Sequence, residues 1–237
     1  MRRSFALALL LVLAAACRPG LVHVSLADEV VDRIVVRIEN DIILLSEVHE
    51  LAAYQQLVEG RAEPYDKLIS ELIEQWMVNS EAAEAHFPAA AESDVAREVA
   101  QIEGRFPSMD AYQQRLAELG ITPQTVGRIV AQQIYLSRYL DYKFRPAVQV
   151  DDAAIETYYR QELAPQLTTK KQPVPPLTDV SEQIREVLVQ QGISARAEMW
   201  FAETKSRLKI EINTPDAPVV QGSAPAQGPS GAPPAAP

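Results

Sequence analysis

The sequence predicts a mainly α-helical domain with a small antiparallel β element that joins a hairpin near the start of the chain to a strand near its end. Three observations predict it. Residues 33–57, RIVVRIENDIILLSEVHELAAYQQL, open with the β-branched run Ile34, Val35, Val36 and Ile38, turn at Glu39-Asn40-Asp41, and continue in Ile42, Ile43, Leu44 and Leu45. Near the end of the chain, Leu208, Ile210 and Ile212 alternate with charged or polar residues, the period of a half-buried strand. Between these stretches, apolar residues recur at spacings of three and four, the period of a buried helix face.

A hairpin alone is marginal in water and needs a third strand. The pairing of residues 208–212 with the hairpin supplies one and makes everything between them a long helical excursion. The competing reading is that residues 207–213 only extend the preceding helix.

In chain order, Ser46 is placed to cap the first helix, with Glu47 in its first turn and Val48, Leu51, Ala52 and Leu57 as its stripe. Residues 60–64, GRAEP, break the chain. Leu68, Ile69, Leu72, Ile73, Trp76 and Met77 then give a second helix one wide apolar face, fading towards His86-Phe87-Pro88. Ser93 is placed to cap a third helix carrying Val95, Val99, Ile102 and Phe106, ended by Pro107. Ser108 opens a fourth, with Tyr112, Leu116 and Leu119, and Gly120 stops it.

Thr122-Pro123 starts a long fifth helix, a cap followed by proline at the first helical position. Its apolar residues Val126, Ile129, Val130, Ile134, Leu136, Tyr139, Leu140 and Phe144 cover so much of its surface that it is expected to lie centrally. Pro146 ends it. Asp151-Asp152 leads a short helix with Ile155, Tyr158 and Tyr159. Residues 164–177, APQLTTKKQPVPPL, carry four prolines and no apolar period, and read as a partly extended linker. Thr178 or Asp179 is placed to cap the last helical region. Val180, Ile184, Val187 and Leu188 form its stripe, Gly192 is expected to kink or break it, and Ala195, Met199, Trp200 and Ala202 resume it.

The two ends of the chain differ in composition from its body. Residues 1–27 read as an export signal: Arg2 and Arg3 precede an apolar run from Phe5 to Ala16 that is too short to span a bilayer. Cleavage after Ala27 is preferred and leaves no cysteine. The alternative is lipidation at Cys17, where Ala14 occupies the position at which leucine is usual in a lipoprotein box; that would tether the domain to a membrane. Residues 214–237 are a low-complexity proline, alanine and glycine tail that cannot bury a core. The organisation read from the sequence is thus a signal at 1–27, a helical region at 28–163, a linker at 164–177, a closing helix and strand at 178–213, and a tail at 214–237.

The 237 residues are 47 % hydrophobic and 23 % charged, enough for one or two globular cores. With 32 Asp and Glu against 22 Lys and Arg, the net charge argues against nucleic acid and anionic membranes as partners. No catalytic motif stands out: His49 and His86 lie far apart, Asp151-Asp152 and Glu162 read as caps and solvated faces, and no phosphate loop or nucleophile elbow occurs. No cofactor, metal ligand set or catalytic residue is expected. What remains is aromatic and apolar surface on the helices: Trp76, Met77, Tyr112, Tyr135, Tyr139, Tyr142, Phe144, Met199, Trp200 and Phe201. Most of these suit a core, but a helix apolar on more than one side is either enclosed or lines a groove. Tyrosine suits a groove through its apolar body and polar tip.

Six segments occur in a familiar order: the strand pair from Val36 to Glu47, the helix from Leu68 to Met77, Phe106 to Tyr112, Leu116 to Thr122, Val150 to Tyr159, and the closing helix with Trp200 and a short strand. From about Val30 to Asn213 the chain resembles the N- and C-terminal parts of the SurA-type periplasmic chaperones and related peptidyl-prolyl isomerases. In that family these two parts form one domain, although a parvulin isomerase domain separates them in the chain. Here only the proline-rich residues 164–177 stand between them, so no isomerase site carries over. The resemblance implies a periplasmic holdase that binds unfolded, aromatic-rich outer-membrane proteins or other exported polypeptides, with the ten residues above as client contacts. The alternatives are a scaffold module with one fixed partner and an isomerase-related enzyme.

Overall fold

The computed structural model describes residues 32–213, and the readings for residues 1–27 and 214–237 lie outside them. Strands β1 (Ile34–Ile38), β2 (Asp41–Leu44) and β3 (Ile210–Ile212) form an antiparallel sheet in the order β2-β1-β3. Among the described residues the chain is mainly helical with this one small sheet, as its apolar periods predict. Val36 faces Ile212, and Ile38 faces Ile210. Residues 207–213 therefore do not simply prolong the helix before them.

The hairpin turn is the two-residue loop Glu39-Asn40, with Glu39 at a left-handed φ of 52°. Its cost is offset by tertiary bonding: Glu39 N–H donates to the Lys209 carbonyl at 3.0 Å, and its carboxylate accepts from the Lys209 N–H at 2.7 Å. Val35 and Val36 are adjacent yet both sealed. The register shifts between Ile34 and Val36, so strict alternation of faces fails at that irregularity.

The helices are α1 (Leu45–Glu59), α2 (Tyr65–Glu84), α3 (Glu92–Glu103), α4 (Met109–Leu119), α5 (Pro123–Phe144), α6 (Asp152–Tyr158), α7 (Ala164–Thr169) and α8 (Leu177–Arg207). One core joins the sheet to α1 and α2 through Val48, Leu51, Leu68, Ile69, Ile73 and Met77, with Trp200 and Phe201 of α8 against its edge. A second lies between α1, α3, α4 and the first half of α5, around Ile102, Tyr112, Leu116, Val126 and Val130. A third joins Val78 and Ala82 of α2 to Tyr139 of α5. Helix α5 packs against α1, α2, α3 and α8, the central place its many apolar residues predict.

Several local expectations are corrected. Ser46 does not cap α1. The helix begins one residue earlier, and the Asp32 carboxylate bonds both the Ser46 N–H and its hydroxyl, while Glu47 accepts from the Leu44 N–H at 2.7 Å. Ser93 lies inside α3, which follows Ala91 and ends at Gly104, ahead of Pro107. By contrast, Ser108, Thr122 and Asp151 each cap the helix they precede, accepting from Ala111, Thr125 and Ala154 N–H.

Residues 164–177 are only partly extended. After α6 one wide π turn, Tyr159–Leu163, carries the chain straight into α7. Proline inside a helix lacks an N–H and crowds the carbonyl four residues back. The widened turn just ahead of Pro165 is where this helix departs from α geometry. The stretch after α7 turns at Lys171 and then carries neither helix nor strand, and Tyr159 hydroxyl holds it by donating to the Pro175 carbonyl at 2.7 Å.

Helix α8 follows Pro176, so neither Thr178 nor Asp179 is its cap, and it runs unbroken through Gly192. Its inner face is Ile184, Ile193, Ala197, Trp200 and Phe201; Val187, Ala195, Met199 and Ala202 face outward.

Candidate apolar groove

A groove opens between α2 and α5. Its central part, about 220 Å³, has Leu51 of α1, Ile129 and Leu136 of α5 and Phe201 of α8 as apolar lining. Glu71, Glu74 and Gln75 of α2 and Gln132 and Gln133 of α5 supply the polar lining. Glu74 and Phe201 also line an adjoining depression of about 390 Å³, bounded further by Leu140, Ala197, Glu198, Ala202 and Lys205. In the other direction Leu51, Gln75, Ile129 and Gln132 are shared with a small recess beside Glu47, Glu50 and Arg128.

Side-chain ties across polar edges hold α1, α2, α5 and α8 around the groove. Arg128 pairs with Glu50, joining α5 to α1. Tyr54 hydroxyl donates to Gln133 Oε1 at 3.0 Å, a second tie between the same helices; burial of that phenol raises its pKa. Lys205 Nζ bonds Glu74 Oε1 at 2.7 Å and Ser70 Oγ at 2.9 Å, joining α8 to α2.

Gln55, the one buried polar side chain among the described residues, receives the Glu63 N–H at 2.8 Å and donates to Glu71 Oε2 at 2.9 Å. It thereby fixes both the loop before α2 and one carboxylate on the groove wall. Desolvation, then crowding by Glu63, Glu74 and Glu59, raises the Glu71 pKa above the ordinary carboxylate value, and the Gln55 amide opposes the rise.

A separate aromatic cluster covers another face of α5. Phe87 sits 5.6 Å from Tyr135, 5.3 Å from Tyr139 and 5.3 Å from Tyr142, ring centre to ring centre. Phe87 is aimed there by the end of α2: His86 takes a left-handed φ of 54°, and the N–H groups of His86 and Phe87 return to the Ala83 and Ala82 carbonyls. Burial first, then Glu81, pushes the Tyr139 pKa up to about 12. Lys143 pairs with Glu81 and lies 4.9 Å from the centre of the Trp200 ring and 5.6 Å from that of Phe144.

Of the ten side chains expected to contact a client, Phe201 lines the groove. Met77, Tyr112 and Tyr139 are sealed at 2 %, 1 % and 3 % exposure, so they are core and not contact surface. Trp76 is partly buried against the hairpin, its indole N–H donating to Asp41 Oδ2 at 2.9 Å. Phe144 and Trp200 meet at a tilted angle of 58° beside Lys143, and Tyr135 is half-buried beside Phe87. Tyr142 and Met199 are exposed, at 64 % and 63 %, outside the groove. The groove's aliphatic lining, Leu136 and Leu140, was readable only as helix stripe, and Phe87 only as the end of a helix. Gln55, a polar residue amid the apolar face of α1, was the available signal for Glu71.

Among the described residues no group of three or more His, Cys, Asp or Glu side chains is placed to hold a metal ion, and no helix is long and apolar enough to cross a membrane. Comparison with protein-family models finds no match for this chain, and none of the curated proteins matches it.

Proposed function

We propose that this protein is a holdase chaperone of the periplasm, which binds unfolded segments of outer-membrane or other exported polypeptides and releases them without covalent chemistry. The observation that carries this reading is the groove itself, apolar on its floor and polar along its rims. Its floor on α5, from Ile129 to Leu140, is about 16 Å long at the helical rise. That is room for about five residues of extended chain. Side chains already held in place by Arg128–Glu50 and Lys205–Glu74 lose little freedom when a client docks. Micromolar binding, about −8 kcal/mol, is strong enough to hold a client and weak enough to let it go.

The test is light scattering by an unfolded outer-membrane barrel protein diluted out of denaturant. The parent chain is expected to suppress aggregation at near-equal molar ratio. Ala202 lines the groove from an exposed position, so Ala202→Trp obstructs the groove without entering the core and is expected to weaken suppression. No suppression by the parent overturns the reading. Full suppression by Ala202→Trp moves the client off the groove.

A further inference from the structure

The groove combines an apolar floor with an unbalanced wall. Its two cations are already engaged, Arg128 by Glu50 and Lys205 by Glu74. Glu71 has no cationic partner among the described residues; its recorded bond is the neutral amide of Gln55. Glu59 on α1, Glu63 in the loop before α2 and Glu74 on α2 face it, while α5 presents only the amides of Gln132 and Gln133 to the same space. Opposite lie Ile129, Leu136 and Phe201. An occupant matched to this surface is apolar along its length and positive at one point.

We propose that the groove selects unfolded segments in which a lysine or arginine is flanked by aliphatic or aromatic residues, the cation pairing with Glu71 while its neighbours lie on Ile129, Leu136 and Phe201. This rests on the client-binding reading above and adds a sequence preference to it. A client cation relieves the repulsion that Glu59, Glu63 and Glu74 impose on Glu71. That repulsion, added to desolvation, raises the carboxyl's pKa, so the selectivity weakens as acid neutralises Glu71. An apolar segment bearing an acid is disfavoured by the same charges.

The experiment uses the full chain and three fluorescein-labelled nonapeptides, identical Leu- and Tyr-rich sequences with Lys, Gln or Glu at the centre, followed by fluorescence anisotropy at low salt. The Lys peptide is expected to bind about three- to fivefold more tightly than the Gln peptide, the size of a solvent-accessible ion pair, and the Glu peptide more weakly still. Glu71→Gln is expected to collapse this spread, and Glu92→Gln, on the exposed face of α3, to preserve it, with circular dichroism confirming that both fold. Equal binding of the three peptides overturns the preference and leaves the groove as a client site. A spread that survives Glu71→Gln overturns the assignment to that residue. Failure of every peptide to bind removes the client-binding reading as well.

Discussion

A β-carbon placed on Gly192 in α8 lies 2.6 Å from Val148 Cγ1, so this helix and the segment leading into α6 approach at a distance only glycine permits. In an open helix, alanine in place of glycine gains about 1 kcal/mol. Here overpacking against a stiff valine costs about 1–3 kcal/mol and outweighs that gain. Gly192→Ala is expected to lower the thermal midpoint, and Gly192→Ala with Val148→Ala to recover most of the loss. A midpoint for Gly192→Ala at or above the parent's shows that Val148 gives way freely.

A chain ending at Arg207 loses β3 and uncovers one edge of β1, whose Val36 and Ile38 are fully buried. Each fully buried aliphatic side chain is worth about 1.5–3 kcal/mol. The truncated protein is expected to melt far below a reference chain ending at Asn213, by differential scanning calorimetry. Coincident melting curves would mean that the sheet is stable as a hairpin.

The Trp76–Asp41 bond ties α2 to the hairpin at an exposed position. Trp76→Phe keeps most of the ring and removes the donor, at about 0.5–1.5 kcal/mol. Trp76→Ala is expected to cost less than the roughly 3–5 kcal/mol of a sealed tryptophan. A double-mutant cycle with Asp41→Ala in urea measures the coupling; zero coupling rules out the bond as a stabilising tie.

Acid acts on two glutamates with opposite sign. Hydrogen bonds from Arg145, then Gln190, lower the Glu186 pKa to about 2, so its stabilising contribution is present above the ordinary value of 4.5 and is lost as pH falls between the two. Glu71 is raised, so its ionisation opposes folding at neutral pH, and that opposition fades as pH falls through its raised value. Glu71→Gln is expected to be more stable than the parent at neutral pH and to converge with it in acid. Glu186→Gln is expected to be less stable at neutral pH and to converge only towards about pH 2. Parallel curves across a pH series of thermal melts would refute both assignments.

Where sequence and structure agree, the signal was local chemistry that tertiary contacts reinforce. The β-branched run at Ile34–Ile38 and the alternation at Leu208, Ile210 and Ile212 predicted a pairing that the register of Val36 with Ile212 displays. Ser108, Thr122 and Asp151 stand immediately before the helices they cap, and each accepts the N–H three residues on. Ser46 fails as a cap because Asp32, fourteen positions earlier in the chain, takes its hydroxyl and N–H.

One helix end was hidden for a different reason. Lys171 adopts the left-handed conformation, at φ of 55°, without the glycine that marks such an end at Gly120, whereas the end at His86, φ 54°, was legible from the fading stripe of α2. Gly192 misled in the opposite sense, being selected by the proximity of Val148 and not by a need for flexibility. The groove was legible only as apolar surplus on α5. A helical period separates inner from outer faces, but it cannot tell Tyr139, sealed against α2, from Leu136, which lines an open channel. That distinction arises from how far apart the neighbouring helices stand.

The bonds between Glu39 and Lys209 join positions 170 residues apart. During synthesis β1 and β2 emerge early, yet β3, the strand that covers the other edge of β1, follows only after α8. Contacts of such long sequence separation form late and slowly. The nascent polypeptide therefore remains unsealed along that edge of β1 until residues 210–212 have been made.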